Sequence, residues 1–191
     1  MNSLDISLFR WLNSWAGMNP LVDNGIIFKA HYLPYIAGTA AVLFFFFYKD
    51  EVQKLKNRFL VLEIAASGIF SRFFVVEIIR FFWQRLRPFE ALSGVTTLIE
   101  HPQEASFPSG HAAFFFALGM TIFFRYRKSG LLFLLIAFSI SINRVAAGVH
   151  WPSDVVAGAV VGIVSSYAVH YGKRFLLQHT KERIARLLLS I

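Results

Sequence analysis

The sequence predicts an all-α fold, a polytopic membrane helical bundle formed by a single domain. Hydrophobic residues make up 56% of the 191 residues and charged residues only 16%, which is too apolar for an ordinary soluble domain of this length. The apolar residues form blocks near the roughly 20 residues that a helix needs to cross a bilayer, separated by short polar stretches. We therefore expect five to six transmembrane helices, preceded by short interfacial helices.

Two short helices are predicted within residues 1–30, ahead of the first span. Residues 4–15 carry leucine and tryptophan at helical spacing, which is typical of a helix at the membrane surface. This segment also carries Asp5 and Arg10 and lacks the long apolar run of a cleavable signal peptide. Residues 19–29 have too few apolar residues to span alone, so they either lie at the interface or enter the membrane in part.

Five apolar blocks are predicted to cross the membrane: residues 33–48, 59–83, 111–124, 131–149 and 155–171. The second block contains four charged residues, which are functional or paired because charge at membrane depth is costly: Glu63, Arg72, Glu77 and Arg80. Pairing with Glu77, three residues earlier, is the simpler explanation for Arg80. After the last block, residues 178–191 are predicted to form a basic amphipathic tail on anionic lipid.

Alternation of the five spans places most basic residues on one side of the membrane. That side holds twelve of the nineteen Lys and Arg residues, so the positive-inside rule makes it cytoplasmic, together with the C-terminus: residues 49, 54, 56, 58, 125, 127, 128, 173, 174, 181, 183 and 186. This topology explains the net charge of +8 better than nucleic-acid binding does. Residues 85–108 and 148–154 then face outside the cytoplasm, on the periplasmic or extracellular side of the cell inner (plasma) membrane.

The first segment on that side whose residues could bind or react with a substrate is Arg80 to Pro88. Seven residues separate Arg80 from Arg87, so a continuous helix would place both on one face about 10 Å apart, although Pro88 limits its length. Two permanently charged guanidinium groups suit an oxyanion such as phosphate. Contact with lipid headgroups is the alternative for a lone arginine at a helix end.

The second segment is Pro108-Ser109-Gly110-His111, where the third span begins. Ser109 is a plausible N-cap, Gly110 allows close approach of the backbone to a ligand, and the free N–H groups of a helix start attract anions. These features predict an anion site beside His111. Taken alone, the segment also fits a simple helix cap followed by an interfacial histidine.

The third segment runs from Asn143 to Asp154, between the fourth and fifth spans. Arg144 lies in the last turns of an apolar helix, where an unpaired cation is costly unless it meets an anion or an aqueous cavity. His150 and Asp154 are four residues apart around Pro152, so the carboxylate can orient the imidazole for nucleophilic attack. A structural His–Asp pair is the alternative.

Together the three segments favour an anion site over a metal site. Three of the candidate site residues are possible metal ligands: His111, His150 and Asp154. The other three would repel a divalent cation in the same cavity: Arg80, Arg87 and Arg144. We therefore expect no metal and no cofactor. The chain has no cysteine, which excludes thiolate chemistry and disulfide bonds.

At these residues the sequence resembles the type 2 phosphatidic acid phosphatase superfamily, over about residues 59–171. The family pattern Lys-x6-Arg-Pro, Pro-Ser-Gly-His and Ser-Arg-x5-His-x3-Asp is matched in order and spacing by residues 80–88, 108–111 and 143–154. Arg80 replaces the usual lysine, which keeps the charge but substitutes a planar fork for a compact ammonium, and Asn143 replaces the usual serine and its hydroxyl.

The resemblance implies a metal-independent phosphatase that acts through a phosphohistidine. In that family's scheme His150 attacks phosphorus, Asp154 orients it, and His111 protonates the leaving oxygen and then activates water. The phosphoryl oxygens would be bound by Arg80, Arg87, Arg144, Ser109 and the Gly110 backbone. The motif-bearing core is accordingly residues 59–171 of a single membrane-embedded domain, residues 1–191.

The expected substrate is a membrane lipid phosphate, and the sequence is similar to compact bacterial members that convert undecaprenyl diphosphate to its monophosphate during recycling of the peptidoglycan carrier. Phosphatidic acid, phosphatidylglycerol phosphate and lipid A phosphates are alternatives within the family. A non-catalytic lipid-phosphate binder or carrier is the alternative from another class. Three glutamates and a histidine of the outer loop are candidates for tuning selectivity, or belong to a solvated loop: Glu90, Glu100, His101 and Glu104.

Overall fold

The computed structural model describes residues 3–46 and 51–189, and the regular elements in these ranges are all helical. The α-helices are α1 (Ser3–Asn13), α2 (Pro20–Ile27), α3 (Leu33–Phe46), α4 (Glu51–Ile69), α5 (Val76–Phe82), α6 (Pro88–Ala91), α7 (Gly110–Arg125), α8 (Arg127–Ala146) and α9 (Pro152–Leu189). Two π-helical turns join neighbouring helices: Phe28–Tyr32 between α2 and α3, and Phe70–Val75 between α4 and α5. The predicted all-α class is confirmed.

Four helical stretches of the described ranges are long and apolar enough to cross a membrane: Pro20–Leu43, Asn57–Phe82, Arg127–Ala146 and Pro152–Thr180. They confirm a polytopic helical membrane protein. The third predicted span coincides with α7, whose 16 residues extend about 24 Å, less than a bilayer's hydrocarbon core. That α7 is a further crossing stays a prediction.

The sequence predicts a separate short helix at residues 19–29. In the structure this segment instead belongs to the first part of the longer stretch Pro20–Leu43. Asn19 caps this stretch with its side chain, which accepts hydrogen bonds from the N–H groups of Leu21 and Val22. Pro34 lies inside the stretch, where it removes one backbone hydrogen bond. The π-helical turn just before it accommodates the irregularity, so the helix continues.

Two other predicted helix ends also differ. The second membrane helix stops at Phe82, and Trp83 leaves helical geometry with φ −133° and ψ 88°, so Arg80 and Arg87 do not share a helix face. Arg87 is extended (φ −74°, ψ 159°), as expected for a residue before proline. The last helix does not end at the predicted Tyr171 but continues without a break to Leu189.

Parts of two predicted polar segments fall outside the described residues. Lys49 and Asp50 of the predicted loop are among them, whereas the chain is already helical from Glu51. In the predicted basic tail, α9 continues to Leu189, but the side chains from Lys181 onward and residues 190–191 lie outside the description. Lipid contact by the tail stays a prediction.

Helix α7 lies at the centre of the bundle and packs closely on α9. A Cβ atom at Gly158 would lie 2.4 Å from the Ser109 carbonyl oxygen, and one at Gly162 would lie 2.3 Å from that of Ala113. The two glycines therefore let the helices touch along their backbones, the close approach that their spacing permits. Because Ser109 precedes α7, Gly158 also sets the position of its N-terminus.

Helix α1 is packed onto the end of the bundle where α8 stops and α9 begins. Asp5, Phe9 and Asn13 recur every four residues and are buried, whereas Leu4 and Trp11 on other faces are exposed. The Asn13 side-chain amide donates to the carbonyl oxygens of Thr96 at 2.7 Å and of Ala146 at 2.9 Å. The predicted surface helix thus has one polar face fixed inside the protein.

Candidate active site

The predicted nucleophile lies in the turn between α8 and α9. Gly148 has φ +86°, a conformation that side chains disfavour, and a Cβ there would lie 2.7 Å from the Thr96 carbonyl oxygen. The turn places His150 at 1% exposure with its Nδ1 atom 3.4 Å from Oδ2 of Asp154. The two side chains that the sequence paired by spacing therefore meet in the folded chain.

The Asp154 carboxylate accepts hydrogen bonds from three donors among the residues that the structure describes. Its Oδ2 atom accepts hydrogen bonds from the Ser106 hydroxyl at 2.5 Å and from the Trp151 N–H at 2.9 Å. Its Oδ1 atom accepts from Arg85 Nη1 at 2.7 Å. Fixed on both oxygens, the fully buried carboxylate can hold the imidazole in one orientation.

Arg85 and Asp5 were not among the predicted site residues. Arg85 Nη2 donates to Asp5 Oδ2 at 2.5 Å while its Nη1 contacts Asp154. Asp5 also accepts from the Ser153 N–H at 2.9 Å and from its hydroxyl at 2.6 Å. One arginine thus joins two buried carboxylates, one from α1 and one from α9. The sequence signal that could have indicated Asp5 is its spacing of four residues from Phe9, which places both on one face of a helix predicted to lie at the membrane surface.

Arg87 lies beside the second nitrogen of His150. Its Nη1 is 3.5 Å from His150 Nε2 and donates to the Val149 carbonyl oxygen at 2.8 Å, and its side chain is 0% exposed. Burial, followed by the nearby Arg80 guanidinium, lowers the pKa of Arg87 to about 10, so it remains charged at neutral pH. A charged donor here leaves the Nε2 lone pair of His150 facing the cationic centre.

Arg80 and Arg144 have donors without a protein partner. In the described part of the chain, Nε of Arg80 and both Nε and Nη2 of Arg144 are buried and make no hydrogen bond. Arg80 Nη1 contacts Glu77 at 3.3 Å, which confirms the ion pair considered from the sequence. Buried cationic donors without a partner are costly, and such donors are suited to binding an anion.

Arg144 is positioned by the irregular first membrane stretch. Its Nη1 donates to the carbonyl oxygen of Ala30 at 3.3 Å. In a regular helix this oxygen would accept from residue 34, but Pro34 has no N–H group. Because Pro34 cannot make that bond, the oxygen can accept from the arginine of α8.

The Pro-Ser-Gly-His segment starts α7 as predicted. Ser109 is the N-cap, and its side chain accepts a hydrogen bond from the Ala112 N–H. The Ser109 N–H donates to the Asp154 backbone carbonyl oxygen at 2.9 Å. This bond joins the start of α7 to the region around the turn that carries His150. His111 lies in the first turn of α7 and lines a cavity together with Gly110.

Burial controls the charge of two histidines near the site, His150 and His101. Burial, followed by the Arg144 and Arg87 guanidinium groups, holds the pKa of His150 well below 6.5, so the imidazole is neutral at neutral pH. Burial and then Arg87 lower the pKa of His101 to about 4, and its ring lies 6.1 Å from that of His150. A neutral imidazole among cations is the state that a nucleophile requires.

Two of the outer-loop glutamates contact the arginines. A carboxylate oxygen of Glu90 accepts from the Arg87 N–H at 2.8 Å, and the Glu104 backbone oxygen accepts from Arg87 Nε at 3.1 Å. The Glu104 carboxylate lies 3.8 Å from Arg80 Nη1. This loop therefore forms one wall of the site. No group of three or more His, Cys, Asp or Glu side chains in residues 3–46 and 51–189 could hold a metal ion.

Comparison with known proteins adds family information to this geometry. Residues 59–176 match the family described as the PAP2 superfamily. The chain is 31% identical over 170 residues to the bacitracin transport permease protein BcrC of Bacillus licheniformis, covering 89% of this chain and 81% of that protein. It is 27% identical to the undecaprenyl-diphosphatase BcrC of Bacillus subtilis, covering 86% and 81%.

A solved structure shares the fold. The crystal structure of Aquifex aeolicus LpxE superposes with a TM-score of 0.73 and 24% sequence identity, covering 89% of this chain and 96% of that one.

Proposed function

Since the chain belongs to the PAP2 superfamily of membrane phosphatases, we propose that this lipid phosphatase hydrolyses a polyprenyl diphosphate, undecaprenyl diphosphate, to the monophosphate and phosphate. The observation that carries the proposal is the setting of His150, a buried neutral imidazole between the Asp154 carboxylate and the Arg87 guanidinium. Around it, Arg80 and Arg144 offer donors that no group in the described part of the chain uses.

The mechanism begins with attack on the terminal phosphorus by His150 Nε2. Asp154 holds Nδ1 and stabilises the positive charge that develops on the ring. The P–O bond to the leaving group breaks, its electron pair passes to that oxygen, and His111 supplies the proton. Water, activated by His111, then hydrolyses the phosphohistidine and releases phosphate.

Arginine contacts stabilise the charge on the transferred phosphoryl group. Arg87 and Arg144 lie on the His150 side, and Arg80 donates to the Pro108 carbonyl oxygen at 3.4 Å, close to the start of α7. Ser109 and the Gly110 backbone complete the predicted binding set, because the free N–H groups of a long helix start favour anions. These roles require no metal or cofactor.

The substrate proposal is supported by the Bacillus subtilis relative, which is named an undecaprenyl-diphosphatase. Phosphatidic acid, phosphatidylglycerol phosphate and lipid A phosphates remain candidates of the same reaction class. A carrier or binder is the competing class, and the Bacillus licheniformis relative carries the name of a transport permease. Binding alone would not need a carboxylate fixed on both oxygens beside a neutral histidine, which favours the enzyme.

Phosphate release by the purified chain tests the proposed function. We expect release from undecaprenyl diphosphate to exceed that from phosphatidic acid and phosphatidylglycerol phosphate, and to be unchanged by excess chelator. Loss of activity in chelator that a divalent ion restores would contradict the metal-free mechanism. Absence of release from all three lipids would leave the binder or carrier as the better interpretation.

We also propose that the site faces outside the cytoplasm, in the bacterial plasma membrane, because the basic residues cluster toward the opposite end of the bundle. The chain contains no native cysteine, so single introduced cysteines report cleanly. An impermeant maleimide should label Ser93→Cys in intact cells and Lys128→Cys only after lysis. The reverse pattern would invert the orientation.

A further inference from the structure

Arg72 lies outside the family motif but close to its residues. It belongs to the π-helical turn Phe70–Val75, eight residues and about 12 Å before Arg80 along the second membrane helix. Its side chain crosses the start of α7, where a Cβ atom at Gly110 would lie 2.3 Å from Arg72 Nε. Glycine at this position therefore makes room for the arginine. A cation at this depth is expected to have a functional or paired role.

Arg72 and His111 form the polar end of a cavity of about 490 Å³. The remaining lining is mostly apolar or small and comes from α3, the π-helical turn and α7, with Tyr35, Phe73 and Phe114 among its members. Arg72 is the cationic residue of this lining within the described part of the chain. The cavity thus combines one permanent positive charge with surfaces that suit a hydrocarbon chain.

The proposed reaction determines which part of the substrate enters this cavity. His111 protonates the leaving oxygen, so the leaving group must lie beside His111. For a lipid diphosphate the leaving group is a second phosphate attached to the lipid, whereas for phosphatidic acid it is an alcohol oxygen. Only the diphosphate offers Arg72 an anionic partner.

The ion pairs of Arg72 show that an anion fits beside the reaction centre. Nη1 of Arg72 and Nη1 of Arg80 both contact the same oxygen of Glu77, Oε1, the latter at 3.3 Å. The Glu77 side chain is 48% exposed, so its carboxylate can move aside. Two guanidinium groups that meet on one oxygen are close enough to bind two phosphoryl groups joined through a bridging oxygen.

We propose that Arg72 binds the phosphate that stays with the lipid and thereby makes the site selective for lipid diphosphates over lipid monophosphates. This inference rests on the proposed function. Substrate displaces Glu77, Arg80 holds the terminal phosphoryl group, and Arg72 holds the inner one. When the bond between the terminal phosphorus and the bridging oxygen breaks, the electron pair goes to the bridging oxygen, which stays with the inner phosphate. Arg72 stabilises the negative charge that develops on this oxygen until His111 delivers its proton.

The test compares two substrates in a charge-balanced variant of the full-length protein. Arg72→Gln combined with Glu77→Gln removes the guanidinium while preserving net charge. We expect the ratio of kcat/KM for undecaprenyl diphosphate to that for phosphatidic acid to fall about tenfold or more, as for loss of a hydrogen bond to a charged group. Arg72→Lys alone, which keeps the positive charge, should lower this ratio less than the double substitution does. Arg127→Gln, at the opposite end of the bundle, should not change it.

Inhibition of the same variants gives a second measurement that does not depend on turnover of phosphatidic acid. Methylenediphosphonate, a non-hydrolysable diphosphate, should inhibit the double variant at least about tenfold more weakly than the unsubstituted protein, while inhibition by orthophosphate changes less. Equal changes for both substrates and both inhibitors would indicate a structural role and overturn the inference. An unsubstituted protein inactive on the diphosphate would instead refute the proposed function itself and this inference with it.

Discussion

Replacing His150 by alanine should lower phosphate release by roughly 10³-fold or more, because removal of the proposed covalent nucleophile leaves only the binding and electrostatic contributions of the site. The substitution removes the imidazole whose Nδ1 faces Asp154 and whose Nε2 faces Arg87. Substrate labelled with ³²P on its terminal phosphate reports the step directly. The unsubstituted protein should give an acid-labile, alkali-stable phosphoenzyme after rapid quenching, and His150→Ala should give none.

His179→Ala is the matched control, because His179 lies in α9 toward the other end of the bundle and makes an edge-to-face ring contact with Phe175. Its phosphate release and labelling should equal those of the unsubstituted protein. If His150→Ala retains the phosphoenzyme, another residue carries the phosphoryl group. If it retains the full rate without a phosphoenzyme, water attacks the substrate directly, and the covalent mechanism is wrong.

Replacing Arg85 by methionine should have the second largest effect, on stability and on turnover together. Arg85 is the cation between two buried carboxylates, with side-chain exposures of 16% for Arg85, 7% for Asp5 and 0% for Asp154. Breaking a buried ion pair by removing one partner costs about 3–5 kcal/mol. We expect a decrease of that size in the free energy of unfolding, measured by denaturant titration in detergent.

The effect of Arg85→Met on activity tells whether Arg85 helps to position Asp154 and His150 or only stabilises the fold. Because Asp154 orients His150, loss of the cation on Oδ1 should lower kcat more than it raises KM, even at temperatures where the variant remains folded. Asp5→Asn should lower stability less, because Asp154 keeps its arginine. The variant that combines Arg85→Met with Asp5→Asn should lose less stability than the sum of the two single losses, since both substitutions act on one network. Strict additivity would show that the Asp5 contact contributes independently of Arg85.

Part of the geometry of the candidate site could be predicted from the sequence because local rules determine it. The Pro-Ser-Gly-His segment starts a helix with a serine cap, and Gly148 and Pro152 end one helix and begin the next, which brings His150 to Asp154. Such features depend on near neighbours in the chain. The apolar blocks likewise predicted the helical stretches, because length and composition decide whether a segment suits a bilayer.

Other features could not be predicted because distant residues determine them. A proline usually ends a helix, but here the helix continues past Pro34, and the Ala30 carbonyl, which has no N–H partner at residue 34, accepts from Arg144, more than a hundred residues away. The helix after Arg80 stops at Phe82 before its proline is reached. Asp5 looked like one polar residue of a surface helix, and Ser106 like part of a solvated loop. Their roles appear only once α1, the outer loop and α9 have been placed together.

The contact between Asp5 and Ser153 joins residues 148 positions apart, and it also has a consequence for biogenesis. During synthesis the arginines of the second membrane helix are inserted long before the chain that carries Asp154 is made. Under the proposed mechanism, a partly made protein therefore holds cations that attract lipid phosphate but lacks the oriented nucleophile. Activity would then arise late, when α9 packs against α1, so unfinished or truncated chains should bind substrate headgroups without consuming them.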